Sequence, residues 1–419
     1  MARFVIEGGK PIRGSVSVSG AKNAVLPMMA ASVMASRPCL IQNAPHLVDV
    51  EIMAAILMSI GVRVRWTGVT GNDLYIDPSG LRGHVVDEAL MRKVRSSIFL
   101  MGPLLAKLRR VEVSHPGGCD IGPRPIDLHL KGLRAMGARF EESHGRILGT
   151  ADSWEGVDIH LDIPSVGATE NIMMGACLAE GLTIIRNAAK EPEIVDLQSF
   201  LNAMGASVRG AGTDVIRVEG VKSLKGASYS VMPDRIEVGT FMAMATITGG
   251  EIWIRNAVVE HVQAVIAKLR ESGAMIVEKP DGLFVSGPKR PFPTDVKTLP
   301  YPGFPTDMQP QMMAVLALAD GTSVITETVF DSRFKQADEL SRMGARIRVD
   351  GRTAIIKGVP ALSGAQVEAT DLRSGASLVL AALAADGVTV LAGVHNLDRG
   401  YEKFEDKIRA LGGSITRVD

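Results

Sequence analysis

The strongest constraint on the fold of this chain is a pattern that recurs six times along it. In each copy an amphipathic segment ends in leucine or isoleucine, reaches a glycine four residues later, and passes into an alternating strand. The six copies are Leu57–Gly61, Leu133–Gly137, Leu201–Gly205, Leu269–Gly273, Leu340–Gly344 and Ile408–Gly412. The glycines stand about 70 residues apart, which indicates repeated copies of one supersecondary unit. Each glycine suits the C′ position of a helix, where the backbone is left-handed.

A second type of helix also recurs once per copy, and it is strongly apolar. Runs such as Ile172–Ala179 and Leu378–Leu383 are apolar nearly all round, so these helices must be buried in the middle of a domain. We predict that they begin near Ala21–Asn23, Arg95–Ser97, Val166–Thr169, Asp234–Glu237, Thr306–Gln309 and Asp371–Ser374. The amphipathic helices then lie outside, with strands between the two helix layers. The predicted fold class is α/β, with six units divided equally between two domains.

Length and composition limit the class of protein. A chain of 419 residues suits two domains of about 200 residues each. Basic and acidic residues balance at 46 each, so no overall field attracts nucleic acid or an anionic membrane. Cys39 and Cys177 lie in apolar runs and read as core, and with Cys119 they form an odd, sparse set that favours a reducing compartment. The sequence has no signal-peptide core and no apolar stretch long enough to span a bilayer. We expect a soluble, cytoplasmic protein.

Polar residues of the buried helices gather at their amino ends. These residues are Lys22, Asn23, Arg95, Arg235, Glu237, Asp307, Asp371 and Arg373. Helix amino termini present free N–H groups and a partial positive charge, which makes them anion-binding sites. Capping is the alternative for Asp234, Asp371 and either Thr306 or Asp307. Capping does not explain Lys22, Arg95 and Arg373, because a cation at an amino terminus is unfavourable unless an anion lies beside it.

The segment Pro116–His129 is the second informative feature. It contains three glycines and three prolines around Cys119 and Arg124, so it cannot form a regular helix or strand. We interpret it as a lid that carries a reactive thiol; a surface turn with a buried cysteine is the alternative. A metal site from His115, Cys119 and His129 matches no familiar zinc spacing and lacks a fourth ligand nearby. We predict neither a metal nor a cofactor.

Several other function classes find no support in the sequence. There is no nucleophile-elbow sequence of a hydrolase, no dinucleotide fingerprint and no phosphate-binding P-loop. A basic stripe with interleaved aromatic residues, typical of nucleic-acid binding, is also absent. What stands out is a set of cations in glycine-rich or helix-start settings, which suggests a doubly anionic substrate. The set is Lys22, Arg95, Arg124, Arg333, Arg373 and Arg399.

These residues resemble the family of UDP-N-acetylglucosamine 1-carboxyvinyltransferases, which belongs to the EPSP synthase superfamily. The likeness extends from Ser19–Asn23 to Asp398–Glu402. Its most specific part is Pro116–Cys119 followed by Arg124–His129. Further matching segments are Ser165–Thr169, Phe304–Gln309 and Ala369–Arg373.

The resemblance implies a two-domain inside-out α/β barrel, in which each domain contains three βαβαββ-type units around buried helices. It implies an amino-terminal domain of residues 21–233, with the lid at about 115–125, and a carboxy-terminal domain of residues 1–20 and 234–419. It also implies that the active site lies in the cleft between the domains and that the lid closes over it.

The resemblance further implies the reaction and its residues. The enolpyruvyl group of phosphoenolpyruvate moves to the 3-hydroxyl of UDP-N-acetylglucosamine, phosphate is released, and bacterial peptidoglycan precursor synthesis begins. Cys119 matches the proton donor and the site that fosfomycin alkylates, Asp307 matches the base, and Lys22 and Arg399 also match catalytic positions. The phosphoenolpyruvate ligands would be Lys22, Asn23, Arg95, Arg124, Arg333, Arg373 and Arg399. The nucleotide-sugar ligands would be Asn23, Arg95, Arg124, Pro125, Ile126, Asp127, Leu128, Ser165, Val166, Gly167, Asp307 and Val329.

Two positions depart from the family pattern. Ile163 stands where many relatives carry a lysine that approaches the nucleotide phosphates, which puts that contact in question. Asp120 follows Cys119, where relatives have a small neutral residue. A neighbouring carboxylate raises a thiol pKa, which a general acid tolerates.

Two other functions fit parts of the sequence. One is the transferase that acts on shikimate 3-phosphate, which shares the fold but not a Pro-Gly-Gly-Cys lid. The other is a non-catalytic paralogue that binds the nucleotide sugar as a sensor. A sensor needs neither a proton donor nor a base, so the presence of both Cys119 and Asp307 favours an enzyme.

Overall fold

The computed structural model of the protein describes residues 2–117, 125–331 and 333–419. The helices are α1 (Lys22–Ala31), α2 (Val48–Ser59), α3 (Glu88–Met91), α4 (Met101–Leu108), α5 (Asp127–Ala135), α6 (Val166–Ala176), α7 (Pro192–Ala203), α8 (Arg235–Thr248), α9 (Gln263–Glu271), α10 (Gln309–Ala317), α11 (Gln336–Arg342), α12 (Leu372–Ala384) and α13 (Phe404–Ala410). Short 3₁₀ helices cover Ser32–Met34, Pro78–Gly80, Arg95–Leu100, Val259–Val262, Thr306–Met308 and Val394–Arg399.

The strands are short, mostly of three to six residues. They are β1 (Arg3–Glu7), β2 (Arg13–Ser17), β3 (Cys39–Gln42), β4 (Arg63–Thr67), β5 (Asp73–Asp77), β6 (Arg110–Ser114), β7 (Ala138–Ser143), β8 (Arg146–Ala151), β9 (Asp158–His160), β10 (Leu182–Arg186), β11 (Ser207–Arg209), β12 (Val215–Glu219), β13 (Ser228–Ser230), β14 (Glu251–Arg255), β15 (Met275–Lys279), β16 (Gly282–Ser286), β17 (Val296–Lys297), β18 (Thr322–Thr326), β19 (Arg346–Asp350), β20 (Thr353–Lys357), β21 (Gln366–Glu368), β22 (Val388–Ala392) and β23 (Ser414–Val418).

The described residues form two compact units. The N unit comprises residues 20–117 and 125–232, and the C unit comprises residues 2–19 and 233–419. The sheets of the N unit have the orders β13-β3-β5-β4, β6-β8-β7 and β11-β12-β10-β9. Those of the C unit are β15-β16-β14-β2, β17-β18-β20-β19 and β21-β22-β1-β23. Strands β1 and β2 belong to the C unit because β1 pairs with β22 and β23, and β2 pairs with β14.

One βαβαββ pattern underlies the sheets. A short strand leads through a buried helix to a parallel partner, as in β9–α6–β10, β17–α10–β18 and β21–α12–β22. Parallel pairing needs such a crossover, whereas the following pair of strands can form a tight antiparallel hairpin. The sheet β6-β8-β7 differs from the other five, because only an isolated parallel bridge between Val85 and Glu112 stands at the position of its fourth strand.

The predicted helix ends are confirmed. The glycines after α2, α5, α7, α9, α11 and α13 all have positive φ, between 83° and 111°. A left-handed residue at this point directs the chain away from the helix and into the next strand. Gly61 also approaches the backbone too closely for a side chain, since a Cβ there would lie 2.3 Å from the carbonyl oxygen of Gly80.

The second helix type is buried, as predicted. Almost every residue of α8, α10 and α12 is buried, and these three helices pack against one another within the C unit. Helices α1, α4 and α6 are the corresponding members of the N unit. Two of the six starts differ from a regular helix, because Arg95–Leu100 and Thr306–Met308 form 3₁₀ turns before α4 and α10. Pro103 and Pro310 lie in the first turns that follow, where the missing N–H does little harm.

Each unit has one hydrophobic core. Cys39 and Cys177 are fully buried in the core of the N unit, as the sequence predicts. Across the described ranges, no helix combines the length and the hydropathy that a membrane crossing requires.

Candidate active site

In the N unit, the predicted lysine is held by a buried carboxylate. Lys22 is the first residue of α1, and its Nζ lies 2.7 Å from Oδ2 of Asp49 in the first turn of α2. The side chain of Asp49 is 3% exposed and that of Lys22 is 12% exposed. Asp49 therefore fixes the ammonium group while leaving part of it accessible. Asn23, the next residue, is exposed.

Arg95 and the start of α5 form a second part of the N-unit set. Arg95 opens a 3₁₀ helix, and its Nη2 donates to the carbonyl oxygen of Pro125 at 3.4 Å. Pro125 and Asp127 are exposed, whereas the side chains of Ile126 and Leu128 are buried in the core. A ligand at this segment can therefore meet Ile126 and Leu128 only through their main chain.

The start of α6 is the third part of the N-unit set, and a buried histidine packs against it. Ser165 caps the helix by accepting the N–H of Ala168 at 3.4 Å. A Cβ at Gly167 would lie 3.1 Å from Cε1 of His129, so glycine is needed for this close approach. The ring of His129 is buried, and its Nδ1 lies 3.0 Å from the side-chain nitrogen of Asn171. His129 thus supports the helix start.

The C unit brings three predicted residues into direct contact. Asp307 accepts from Nη2 of Arg333 at 2.6 Å, and from Nη2 and Nε of Arg373 at 3.1 and 3.2 Å. Both arginine side chains are 4% exposed, and that of Asp307 is 27% exposed. The carboxylate is therefore the part of this cluster that solvent can reach. We call Asp307, Arg333 and Arg373 the C-unit cluster.

The C-unit cluster controls the charge of Asp307. Burial alone would raise the pKa of this carboxyl group, but Arg333, Arg373 and Arg235 outweigh it and hold the pKa well below its usual range. Asp307 is thus ionised at neutral pH and paired on both oxygens. Arg333 still has a donor to spare, because its buried Nε has no hydrogen-bond partner among the described residues.

The two arginines are held from behind by different groups. The guanidinium of Arg373 lies 5.4 Å from the ring centroid of Tyr401, whose hydroxyl lies 2.9 Å from Oγ1 of Thr240. Nη1 of Arg333 donates to Oγ1 of Thr306 at 2.8 Å, and Thr306 in turn donates to the buried Glu327. The sequence analysis missed Glu327 and Asp49 as members of the site. Their only sequence signal is a carboxylate next to a strand or a helix start, which most proteins contain.

The capping prediction is right at two places and wrong at a third. Asp234 accepts from the N–H groups of Ile236 and Glu237, and Asp371 accepts from those of Arg373 and Ser374. At the third start the capping position is Pro305, which has no side-chain acceptor. Thr306 and Asp307 lie inside the 3₁₀ turn. The side chain of Thr306 donates to Glu327, and that of Asp307 pairs with the two arginines.

The remaining predicted residues lie as follows. Arg399 ends the 3₁₀ helix Val394–Arg399 and is half-buried. Val329 is 40% exposed and its N–H donates to Glu327. Ile163 is 63% exposed, just ahead of the capping residue of α6. Cys119, Asp120 and Arg124 lie outside the described residues. Among the described residues, no group of histidine, cysteine and acidic side chains is arranged to hold a metal ion.

Comparison with known proteins gives consistent matches over the whole chain. The family model described as EPSP synthase (3-phosphoshikimate 1-carboxyvinyltransferase) matches residues 6–408. UDP-N-acetylglucosamine 1-carboxyvinyltransferase 1 of Symbiobacterium thermophilum is 56% identical over 99% of this chain and 95% of its own. The protein of the same name from Carboxydothermus hydrogenoformans is 53% identical over 100% of this chain and 99% of its own.

Solved structures agree on the fold. The enolpyruvyl transferase NikO from Streptomyces tendae superimposes with a TM-score of 0.90 at 24% identity, covering 100% of this chain and 99% of its own. EPSP synthase from Acinetobacter baumannii superimposes with a TM-score of 0.77 at 20% identity, with both chains fully covered. The architecture is therefore the two-domain barrel of α/β units that these transferases share.

Proposed function

This chain belongs to the UDP-N-acetylglucosamine 1-carboxyvinyltransferase family, and we propose that it transfers the enolpyruvyl group of phosphoenolpyruvate to the 3-hydroxyl of UDP-N-acetylglucosamine. Phosphate is the second product. The reaction is the first committed step of peptidoglycan precursor synthesis and takes place in the cytoplasm. The observation that carries this proposal is identity above 50% over essentially the full length of relatives that bear this name.

The chemistry requires a base, an acid and a set of cations. Asp307 takes the proton of the sugar hydroxyl as its oxygen bonds to C2 of phosphoenolpyruvate, and Cys119 gives a proton to the methylene carbon C3. This yields a tetrahedral intermediate that still carries the phosphate. Loss of a proton from C3 then restores the double bond as the C2–O bond to phosphate breaks. The C3 proton returns to Cys119, and the proton held by Asp307 passes to the departing phosphate, so both residues are regenerated.

The state of Asp307 in the C-unit cluster explains how a strongly paired carboxylate could serve as a base. A general base works best when its pKa lies near the working pH, and two arginines hold the pKa of Asp307 far below that range. An incoming phosphate or carboxylate competes for Arg333 and Arg373 and weakens their hold on Asp307. Its pKa then rises. Substrate binding would thus activate the base.

Six cations and one amide bind the anionic groups of phosphoenolpyruvate. We assign this role to Lys22, Asn23, Arg95, Arg124, Arg333, Arg373 and Arg399, with Lys22 and Arg399 also acting in catalysis. Planar guanidinium groups suit phosphate and carboxylate because they donate two parallel hydrogen bonds. The buried Nε of Arg333, which has no partner in the described part of the chain, is a donor that an anion could use after a small shift.

The nucleotide sugar is assigned to a longer set of residues. These are Asn23, Arg95, Arg124, Pro125, Ile126, Asp127, Leu128, Ser165, Val166, Gly167, Asp307 and Val329. Ile163 offers an exposed apolar side chain near this set, so the diphosphate must rely on other cations. No nucleic acid and no membrane is expected as a partner.

Phosphate release with each acceptor tests the proposal. The protein is incubated with phosphoenolpyruvate and either UDP-N-acetylglucosamine or shikimate 3-phosphate, and inorganic phosphate is measured. Release with the nucleotide sugar alone is expected. Turnover only with the shikimate ester would support the related transferase. Tight binding of the nucleotide sugar without any turnover would support a non-catalytic paralogue.

A further inference from the structure

A buried carboxylate lies directly behind the C-unit cluster. Glu327 follows β18 and is fully buried. Its Oε1 accepts from Oγ1 of Thr298 at 2.8 Å and from the N–H groups of Val329 and Phe330 at 2.8 and 3.2 Å. Its Oε2 accepts from Oγ1 of Thr306 at 2.8 Å. None of these donors within the described ranges is a basic side chain, so four neutral donors stabilise this buried group.

The two oxygens of Glu327 have different tasks. Oε1 holds the turn after β18, which leads towards Arg333 and contains Val329. Oε2 accepts a hydrogen bond from Thr306, the residue before Asp307. One oxygen therefore supports the local backbone, and the other reaches the C-unit cluster. The two tasks can be separated by experiment.

The contact with Thr306 fixes the direction of a hydrogen-bond chain. A hydroxyl group can donate or accept, and Thr306 donates its proton to Oε2 of Glu327 at 2.8 Å. Its oxygen is then an acceptor, and Nη1 of Arg333 donates to it at 2.8 Å. The other arm of Arg333 is thereby aimed at Asp307, 2.6 Å away.

We propose that Glu327 is a positioning residue of the transferase reaction, which acts through Thr306 to hold Arg333 against Asp307 and against the incoming anion. The proposal rests on the proposed function, in which Arg333 binds phosphoenolpyruvate and Asp307 is the base. A purely structural role, in which Glu327 only fastens the turn after β18, is the alternative.

Glu327→Gln separates the two roles. Glutamine keeps one oxygen for Thr298 and for the two backbone N–H groups, so the turn is retained. It places an NH₂ group where Oε2 accepted from Thr306, and the Thr306 oxygen then faces two N–H donors. Arg333 then shares this oxygen with the amide, and the hydroxyl loses the orientation that Glu327 gave it. We expect kcat/KM for phosphoenolpyruvate to fall about 10- to 100-fold, as is typical when a group that orients a ligand-binding residue is lost.

Four further variants complete the test. Thr306→Val removes the hydroxyl at similar volume and should match Glu327→Gln, whereas Thr306→Ser keeps the hydroxyl and should stay within about threefold of the parent. The kcat/KM of the double variant, Glu327→Gln with Thr306→Val, should be no lower than that of Thr306→Val alone. The two residues belong to one hydrogen-bond chain, so the effects of their substitutions are not additive. Asp295→Asn is the matched control. Its carboxylate accepts the N–H of Val324 in β18 at 2.8 Å and, in the described part of the chain, makes no hydrogen bond or ion pair with the C-unit cluster.

The outcomes separate the alternatives. Unchanged kcat/KM in Glu327→Gln, or additive losses in the double variant, would overturn the proposal. An equal loss in Asp295→Asn at an equal drop in thermal midpoint would show a structural role only. If the parent protein releases no phosphate, the proposed function fails first. Glu327 is then tested without substrate, by carboxyl-¹³C-aspartate NMR with the Asp307 signal identified by its loss in Asp307→Asn. The carboxyl signal of Asp307 should move by similar amounts in Glu327→Gln and Thr306→Val, because Arg333 is displaced in both, and an unchanged signal would overturn the proposal.

Discussion

The N and C units are built from the same repeat but present different chemistry at the starts of their buried helices. In the C unit, Asp307 and two buried arginines form a closed ion-paired cluster. In the N unit, Lys22 pairs with Asp49, and Asn23 next to it is exposed. The C unit therefore holds its charged groups already paired, whereas the N unit leaves more of its polar groups accessible.

This difference shows how one repeated scaffold can carry different functional groups in its two units. An apolar helix recurs in every copy, and a left-handed glycine ends the amphipathic helix of each copy. The residues at the starts of the buried helices differ from copy to copy, and the first turn of a helix has unsatisfied N–H groups that polar side chains or a ligand can use. The repeat thus provides six helix starts, and two or three residues determine the chemistry of each one.

The largest effect is expected from the C-unit cluster. Asp307→Ala removes the proposed base and also leaves two buried guanidinium groups without their carboxylate. We expect kcat to fall by about 10³-fold or more, towards the upper end of the effects of losing a general base. Asp338→Ala is the matched control, an exposed acidic residue in the first turn of α11. A near-normal rate of phosphate release in Asp307→Ala would remove Asp307 from the mechanism.

The next effect concerns the cysteine of the proposed lid. Cys119→Ser should lower turnover by about 10²-fold or more, as expected for loss of a general acid, while calorimetric binding of UDP-N-acetylglucosamine stays nearly unchanged. Fosfomycin should add one covalent group to the parent protein and none to the variant. Cys39 and Cys177 are buried, and burial raises the pKa of Cys177 to about 12, so neither forms a thiolate readily. A peptide map with the label on either of them would contradict the lid hypothesis.

A smaller effect is expected from the partner of Lys22. Asp49→Asn keeps the shape of the side chain but removes the charge that fixes the ammonium group. We expect kcat/KM for phosphoenolpyruvate to fall about tenfold, mainly through KM, because Lys22 remains charged but is less well oriented. If Asp49→Asn lowers the rate as much as Asp307→Ala, the contrast between an accessible N-unit set and a closed C-unit cluster is wrong.

The sequence predicts the repeated scaffold better than the contacts within the site. Four of the six buried helices begin where predicted, the other two follow a 3₁₀ turn at the predicted position, and all six glycines are left-handed, because these features depend on periodicity and on local backbone angles. The pairing of Asp307 with Arg333 and Arg373 spans 26 and 66 residues. Such pairing is fixed only when three elements pack together. Glu327 is the clearest example of a contact that the sequence does not predict. Its four hydrogen-bond donors lie beside β17, at a helix start and in a turn, and no local sequence pattern indicates that they meet at this residue.

The smallest predicted effect compares one buried carboxylate from each unit. Glu170 in α6 is fully buried, both its oxygens lack a partner among the described residues, and burial together with Glu193 and Glu191 raises its pKa well above the usual value. Glu237 in α8 is equally buried, and burial raises its pKa too, but Lys407 pairs with it and opposes that shift. Glutamine at either position cannot ionise. Replacing Glu170 should therefore change the pH dependence of stability more than replacing Glu237.

The sign follows from proton linkage. Because the folded pKa of Glu170 is raised, its contribution to stability is complete below the unfolded pKa, near the ordinary value of 4.5, and is lost as pH rises through the folded pKa. The thermal midpoint of Glu170→Gln, relative to the parent, should thus increase by a few degrees between about pH 5 and pH 8. The relative midpoint of Glu237→Gln should change less over the same range. Each variant is compared with the parent at every pH. Any loss of stability from packing the amide that does not depend on pH therefore cancels in the change of the relative midpoint with pH. Equal slopes for the two variants would mean that the pairing with Lys407 does not distinguish the two carboxylates.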